Sequence, residues 1–207
     1  MNLNYHSISF LKSFLKFKKI NINIGSEIAL LGYSNVGKST LINALSNNKR
    51  LSKTSKNPGQ TKLINFFKIN KFFRIVDLPG YGYSKNSKKV QKKYNLEVNK
   101  YIKNRFCLFG VILLMDIRNP LKIIDIDYLK ISLKKKLKIL ILLNKVDKIK
   151  NFKRKLIFKY VSFKIYKKFN KKIKICFFSF KEKIFINKLK NKIFCWYKNC
   201  KALNNKF

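Results

Sequence analysis

Residues 32–39 read Gly-Tyr-Ser-Asn-Val-Gly-Lys-Ser and fill the pattern G-x-x-x-x-G-K-[ST]. That pattern commits the chain around it to a strand, a tight loop and a helix, in that order. Gly32 and Gly37 carry no Cβ, so the backbone can turn sharply and come close to an anion. Between them, Tyr33, Ser34, Asn35 and Val36 form a loop whose backbone N–H groups can wrap phosphate. Lys38 sets a point charge against the β and γ phosphates, and the Ser39 hydroxyl, followed by Thr40, can ligate Mg²⁺. The flanks agree. Glu27 to Leu31 is a short, mostly apolar run suited to a buried strand, and Leu41, Ile42 and Leu45 recur at helical spacing. A helix N-terminus aimed at the phosphates adds its dipole to the site.

Two further motifs follow in order. Asp77-Leu78-Pro79-Gly80 is a D-x-x-G at the end of the apolar run 72–76. Asp77 would hold Mg²⁺ through water, and Gly80 would offer its N–H to a γ-phosphate. Asn144-Lys145-Val146-Asp147 ends another apolar run, 138–143, as an N-K-x-D. A carboxylate at Asp147 can accept from guanine's N1–H and exocyclic amine, a donor pair that adenine lacks. Asn144 suits N7, and the Lys145 stem can lie along the ring. Thr61, within Asn57-Pro58-Gly59-Gln60-Thr61, lies between the phosphate loop and the D-x-x-G. There a second hydroxyl on Mg²⁺ and a γ-phosphate sensor belong. The four motifs together define a GTP-binding domain.

Composition bounds the rest. The 207 residues carry a formal net charge of +41, from 44 Lys and 5 Arg against 8 acids. Such a surface is drawn to polyanions with strong salt dependence. Lys, Ile, Asn and Phe are all encoded mainly by A and T, however, so base composition can raise lysine without selection for RNA. Guanidinium would be the better group for reading phosphate. The two origins of the charge stay open, and equally so for residues 148–207, with 20 Lys/Arg and one acid, Glu182. The four cysteines form no C-x-x-C and His6 is the lone histidine, which argues against zinc and against a disulfide framework. No apolar run approaches the roughly 20 residues of a membrane span. The stretch Phe10 to Leu15 is mildly amphipathic but lacks Arg, so no organelle targeting is expected, and the cysteine usage fits a cytoplasmic protein.

Along the chain, strands are expected near 27–32, 63–70, 72–77, 108–116, 138–144 and 173–178. Helices are expected near 38–47, 89–105, 124–135, 152–168 and 183–199. The expectation is an α/β fold of the P-loop GTPase type: a mostly parallel six-stranded sheet with one antiparallel edge strand and helices on both faces. Residues 1–26 form an N-terminal extension, 27–199 the GTP-binding domain and 200–207 a tail. Phe185, Leu189, Ile193, Trp196 and Tyr197 share one face of the last helix and read as core. Residues 48–62 and 80–88 are polar and aperiodic, as nucleotide-sensing loops are.

From Glu27 to Tyr197 the chain resembles the EngB family (also called YihA or YsxC), bacterial GTPases of ribosome assembly in the translation-factor-related class. Residues 54–67, Thr-Ser-Lys-Asn-Pro-Gly-Gln-Thr-Lys-Leu-Ile-Asn-Phe-Phe, are similar to the family's switch segment, which adds Gly59, Gln60, Lys62 and Leu63 to the nucleotide contacts. Residues 77–83 match its extended D-x-x-G signature, and Met115 to Lys122 with Asp125 match a segment that other small GTPases lack. The resemblance implies Mg²⁺ and GTP or GDP as ligands, maturation of the large ribosomal subunit through its precursor and rRNA, and a requirement for normal division and septation; a monomer is expected. It also implies a last guanine contact at Phe178, Ser179 and Phe180. There the family usually carries two serines, and this chain keeps the second, so Phe178 could reshape the loop.

Many GTPases orient the attacking water with Gln directly after the D-x-x-G. Here that residue is Tyr81, which cannot supply the paired donor and acceptor of an amide, so slow intrinsic hydrolysis is expected. Asn35 reads in two ways, as an ordinary turn residue or as help in holding a K⁺ ion that neutralises transition-state charge. Asp116 and Arg118 read as a structural pair at a strand end. Two functions remain: a GTPase switch leaving a ribosomal precursor after hydrolysis, and a GTP-gated RNA-binding placeholder whose turnover is incidental. Lys38, Thr61 and Gly80 are the candidate catalytic residues, and Ser39, Thr61 and Asp77 the candidate metal ligands.

Overall fold

Apolar side chains run almost unbroken along the middle strands and point to alternate faces, which calls for helices on both sides of one sheet. A computed structural model describes residues 3–52, 63–82, 88–171 and 173–204. Its strands are β1 (Ser9–Phe14), β2 (Ser26–Gly32), β3 (Ile64–Asn70), β4 (Phe73–Asp77), β5 (Leu108–Asp116), β6 (Lys138–Asn144) and β7 (Lys174–Phe177). The helices are α1 (Lys38–Ser46), α2 (Lys88–Asn104), α3 (Ile123–Lys134), α4 (Asn151–Phe169) and α5 (Lys183–Asn204). In β2, Ala29 and Leu31 join a core with Val98, Ile102, Leu129 and Ile165 of α2, α3 and α4. Ile28 and Leu30 face the other way, onto Leu41 and Leu45 of α1 and onto Leu189, Ile193 and Trp196 of α5. Leu30 and Leu31 are 0% and 1% exposed, and each such side chain contributes roughly 1.5–3 kcal/mol by leaving water. Near-continuous apolar runs are what a parallel sheet covered on both faces requires.

The order is β1-β3-β4-β2-β5-β6-β7. β4, β2, β5, β6 and β7 pair in parallel, while β3 runs against both β4 and β1. The expected sheet of six is therefore one of seven. The antiparallel strand β3 lies inside the edge, not at it. The missed strand is β1, and its sequence hides it. Half of it is exposed and Phe14 alone is buried, so no run of buried residues marks it. Its place comes from backbone pairing with β3, helped by edge-to-face contacts of Phe10 with Phe67 and Phe14 with Phe66. At the other end of the chain, α5 continues to Asn204 instead of ending near residue 199. Leu189, Ile193 and Trp196 are buried in it as expected, with Phe185 and Tyr197 packed partly buried against the same core. Among the described residues no helix is long and apolar enough to cross a membrane.

At the N-terminal edge of the sheet sits a fully buried carboxylate, Glu27, with two arginines. Its Oε1 accepts from Arg74 Nη2 at 3.0 Å and Arg105 Nη2 at 2.6 Å. Its Oε2 accepts from Arg105 Nε at 2.8 Å and from the Tyr101 hydroxyl at 2.6 Å. The same guanidinium groups reach back to the carbonyls of Ile22 and Ile24. A forked, planar cation satisfies several acceptors at once in a fixed geometry. Two of the five arginines are spent here.

Candidate nucleotide-binding site

Every motif picked out above and lying in the described residues falls at or beyond the C-terminal ends of the parallel strands, the edge where open α/β sheets bind ligands. β2 runs into the phosphate loop and α1 starts at Lys38. Gly37, at φ +108°, is its N-cap, and a Cβ there would lie 2.8 Å from the Phe180 ring and 2.9 Å from Asn144 Nδ2. Asn35 also takes a left-handed conformation, at φ +60°, which Asn tolerates better than most residues. Val36 is buried and pins the loop to the α1 side of the core, whereas Thr40 points to solvent.

Lys38 is only 6% exposed, and its ammonium donates to the Gly32 carbonyl at 3.3 Å. Burial pushes its pKa down while the neighbouring Asp77 pulls it up. Asp77 is fully buried at the end of β4. Burial pushes its carboxyl up, against the Lys38 charge and a hydrogen bond from Ser39. That bond, Ser39 Oγ to Asp77 Oδ2, measures 2.9 Å, whereas Asp77 Oδ1 is buried without a hydrogen-bond partner. A buried carboxylate oxygen left over beside a hydroxyl is the donor set a hard, water-carrying cation takes, so these two residues fit Mg²⁺. Leu78 and Pro79 are buried behind it, and a Cβ on Gly80 would lie 2.9 Å from Lys38 Nζ, so the D-x-x-G backbone abuts the ammonium. Gly59, Gln60, Thr61 and Lys62 lie outside the described residues. Leu63, just before β3, is exposed.

The N-K-x-D segment is tied to the phosphate loop. Asn144 is fully buried; its Nδ2 donates to the Val36 carbonyl at 2.7 Å and its Oδ1 accepts from Lys145 N–H at 2.7 Å. One amide hydrogen of Asn144 is therefore committed to the loop, leaving its second for a base. Lys145, itself left-handed, sends its ammonium to the Asn35 carbonyl at 3.3 Å and to Asp116 at 3.1 Å. Val146 is buried. Asp147 accepts from the Ser179 hydroxyl at 2.9 Å, with Lys181 3.5 Å away. Its partial desolvation would raise its pKa, but the Ser179 bond and the nearby lysine outweigh this and hold it below the usual carboxylate range. Phe178 leaves the segment's backbone pairing in place. Its N–H donates to Leu143 and its carbonyl accepts from Val146, while the ring is buried edge-on against Phe180.

Asp116 and Arg118 form the expected pair, two-pronged at 2.9 and 2.6 Å. Desolvation of Asp116 is outweighed by the Arg118 and Lys145 contacts, which bring its pKa down to about 2. One residue, Asn43, and one contact, that of Tyr81 with Asp125, escaped the sequence. Asn43 of α1 donates to the carbonyls of Lys49 and Ser52 and accepts from Ser52 N–H, which fixes where the chain leaves α1. Its only signal was a polar side chain on an otherwise apolar helix face. Tyr81 turns inward, 1% exposed, and its hydroxyl donates to Asp125 at 2.5 Å.

The class of protein so defined is the P-loop GTPases. Comparison with known proteins narrows it. The family model described as a 50S ribosome-binding GTPase matches residues 27–145. The chain is 47% identical over 198 residues to "Probable GTP-binding protein EngB" of Buchnera aphidicola subsp. Schizaphis graminum, covering 94% of this chain and 96% of that one. To the protein of the same name from Haemophilus ducreyi it is 39% identical over 197 residues, covering 95% and 93%. A crystal structure of a probable GTP-binding protein engB matches with a TM-score of 0.66 at 25% identity, over 84% of this chain and 99% of that one. The chain belongs to the EngB family of GTPases, whose reaction is the hydrolysis of GTP.

Proposed function

We propose that this chain is a cytoplasmic, monomeric GTP switch that acts on the precursor of the large ribosomal subunit and is needed for normal division and septation. The observation that carries the reading is the match of residues 27–145 to a family described as binding the 50S ribosome. In this reading Gly32 to Thr40 cradle the phosphates and Asp147, held by Ser179, accepts from guanine. Asn144 and Lys145 flank the base, with Val146 and residues 178–180 shaping its pocket. Mg²⁺, held by Ser39, Asp77 and Thr61, would draw off phosphate charge. Lys38 neutralises the β and γ phosphates, and Gly80 senses the γ-phosphate. Residues 59–63 would complete the phosphate contacts.

The inward turn of Tyr81 supports slow intrinsic turnover, because its hydroxyl is committed to Asp125. The test is multiple-turnover GTP hydrolysis with and without large-subunit precursor, together with co-sedimentation in GTP and in GDP at two salt concentrations. A switch binds the precursor better with GTP, holds it at moderate salt and turns over faster on it. Charge alone predicts binding to any RNA, indifferent to nucleotide and falling steeply with salt. Nucleotide-dependent binding with no gain in turnover would favour the placeholder.

A bound K⁺ near Asn35 is the proposed aid to chemistry at this site. Hydrolysis should be faster in K⁺ than in Na⁺ at equal ionic strength, and the difference should vanish in Asn35→Ala while GTP still binds. Equal rates in both salts would leave the ribosomal partner as the stimulant.

A further inference from the structure

We propose that Asp125 is a positioning residue for GTP hydrolysis, acting through Tyr81 to hold the backbone that follows Gly80. This rests on the reading of Gly80 as the γ-phosphate sensor. The residue after a D-x-x-G is commonly read as one that faces the nucleotide, but here it is anchored in the opposite direction. The Tyr81 ring packs 4.9 Å from that of Tyr128 and 6.1 Å from that of Tyr33, inside the core formed with α2 and α3. Its hydroxyl meets Asp125 Oδ1, while Asp125 Oδ2 accepts from Lys122 N–H at 2.9 Å at the start of α3. One carboxylate thus does two separable things. One oxygen caps a helix and the other holds the segment behind the D-x-x-G.

The backbone side of the same segment is fixed to the phosphate loop. The Tyr81 carbonyl accepts from Ser34 N–H at 2.7 Å, and Tyr33 and Tyr81 form a single parallel bridge. Gly82, at φ +90°, lies flat against Tyr33, since a Cβ there would fall 1.6 Å from the ring. The Lys122 ammonium stands 3.6 Å from the centre of that same ring. Phosphate loop, D-x-x-G tail and α3 therefore close a circuit through Ser34, Tyr81, Asp125, Lys122 and Tyr33. Gly80 is one residue away from it, beside Lys38. Helix capping requires only the Asp125–Lys122 bond. The Tyr81 bond, charge-assisted and buried where water cannot replace it, is the part that a capping role leaves unexplained.

Tyr81→Phe removes the hydroxyl and keeps both the ring and the cap. The expected result is a fall in kcat for GTP of about tenfold, the size of one lost charge-assisted hydrogen bond, with KM and GDP affinity within about twofold of wild type. Adding Asp125→Ala to Tyr81→Phe should lower thermal stability further, through the lost cap, yet reduce kcat no further, because both changes break the same link. A purely structural bond predicts lower stability in Tyr81→Phe with kcat unchanged, which would overturn the proposal. So would a second, independent loss of kcat in the double variant. Gly80→Ala separates this from the parent reading. If it hydrolyses GTP as wild type does, Gly80 is no sensor and both ideas fall. If it is impaired while Tyr81→Phe is not, only the role of Asp125 falls.

Discussion

Glu27→Gln is expected to destabilise the domain by about 3–5 kcal/mol, the usual cost of removing one partner from a buried charge cluster. The mutation leaves both guanidinium groups in place, each 3–4% exposed in its side chain, with no compensating charge. The carbonyls of Ile22 and Ile24 would still accept hydrogen bonds, but they carry no negative charge to offset two buried cations. Since small domains are stable by only about 5–15 kcal/mol, the loss is a large share of the total. Urea unfolding followed by the fluorescence of Trp196, buried on α5, measures it. A shift below about 1 kcal/mol would show that solvent or neighbouring groups replace the carboxylate, and the cluster would then be incidental to the fold. Arg105→Lys makes a useful companion. It retains the charge but loses the fork, so a substantial cost there would place the importance in geometry and not in charge alone.

Asp147→Asn should exchange the base that the site prefers. Guanine offers two donors to the Asp147 carboxylate, whereas xanthine presents a 2-oxo acceptor where guanine has its amine. The Ser179 hydroxyl already occupies Asp147 Oδ1. An asparagine that keeps its carbonyl toward Ser179 turns its amide N–H groups to the base. GTP binding should weaken roughly ten- to a hundredfold, the value of a charge-assisted hydrogen bond, and xanthosine triphosphate binding should improve. Titration of both nucleotides against the wild type and the variant decides it. Equal weakening for the two would mean that Asp147 shapes the pocket without reading the base.

Much of the architecture was legible because it is written in short periods. The strand ending in Gly32, the helix starting at Lys38 and the strand ending in Asn144 each declare themselves within a few residues. Burial on both faces leaves unbroken apolar runs, and a phosphate loop needs its glycines at fixed spacing. What the sequence concealed depends on pairs far apart along the chain. The bond from Asn144 to Val36 spans 108 residues and that from Tyr81 to Asp125 spans 44; no local pattern encodes either. β1 was hidden for a different reason. A strand lying at the edge, with Phe10 and Leu11 exposed and Lys12 between them and Phe14, has no buried face long enough to set a period. Phe178 shows the opposite case. A residue that departs from its family's pattern was absorbed, because its backbone pairs with Leu143 and Val146 and its ring packs against Phe180.

The cluster around Glu27 lies at one end of the central strands and the nucleotide motifs at the other, which gives the sheet the mechanics of a clamped plate. Arg74 on β4 and Arg105 beyond α2 are bolted to the root of β2, and through Ile22 and Ile24 to the chain leading in from β1. Displacement of the D-x-x-G tail or the phosphate loop therefore works against a fixed root, not a floating one. Stiffness should fall from that root toward the loops, so that the free end can flex through a nucleotide cycle while strand register is held at the clamped end.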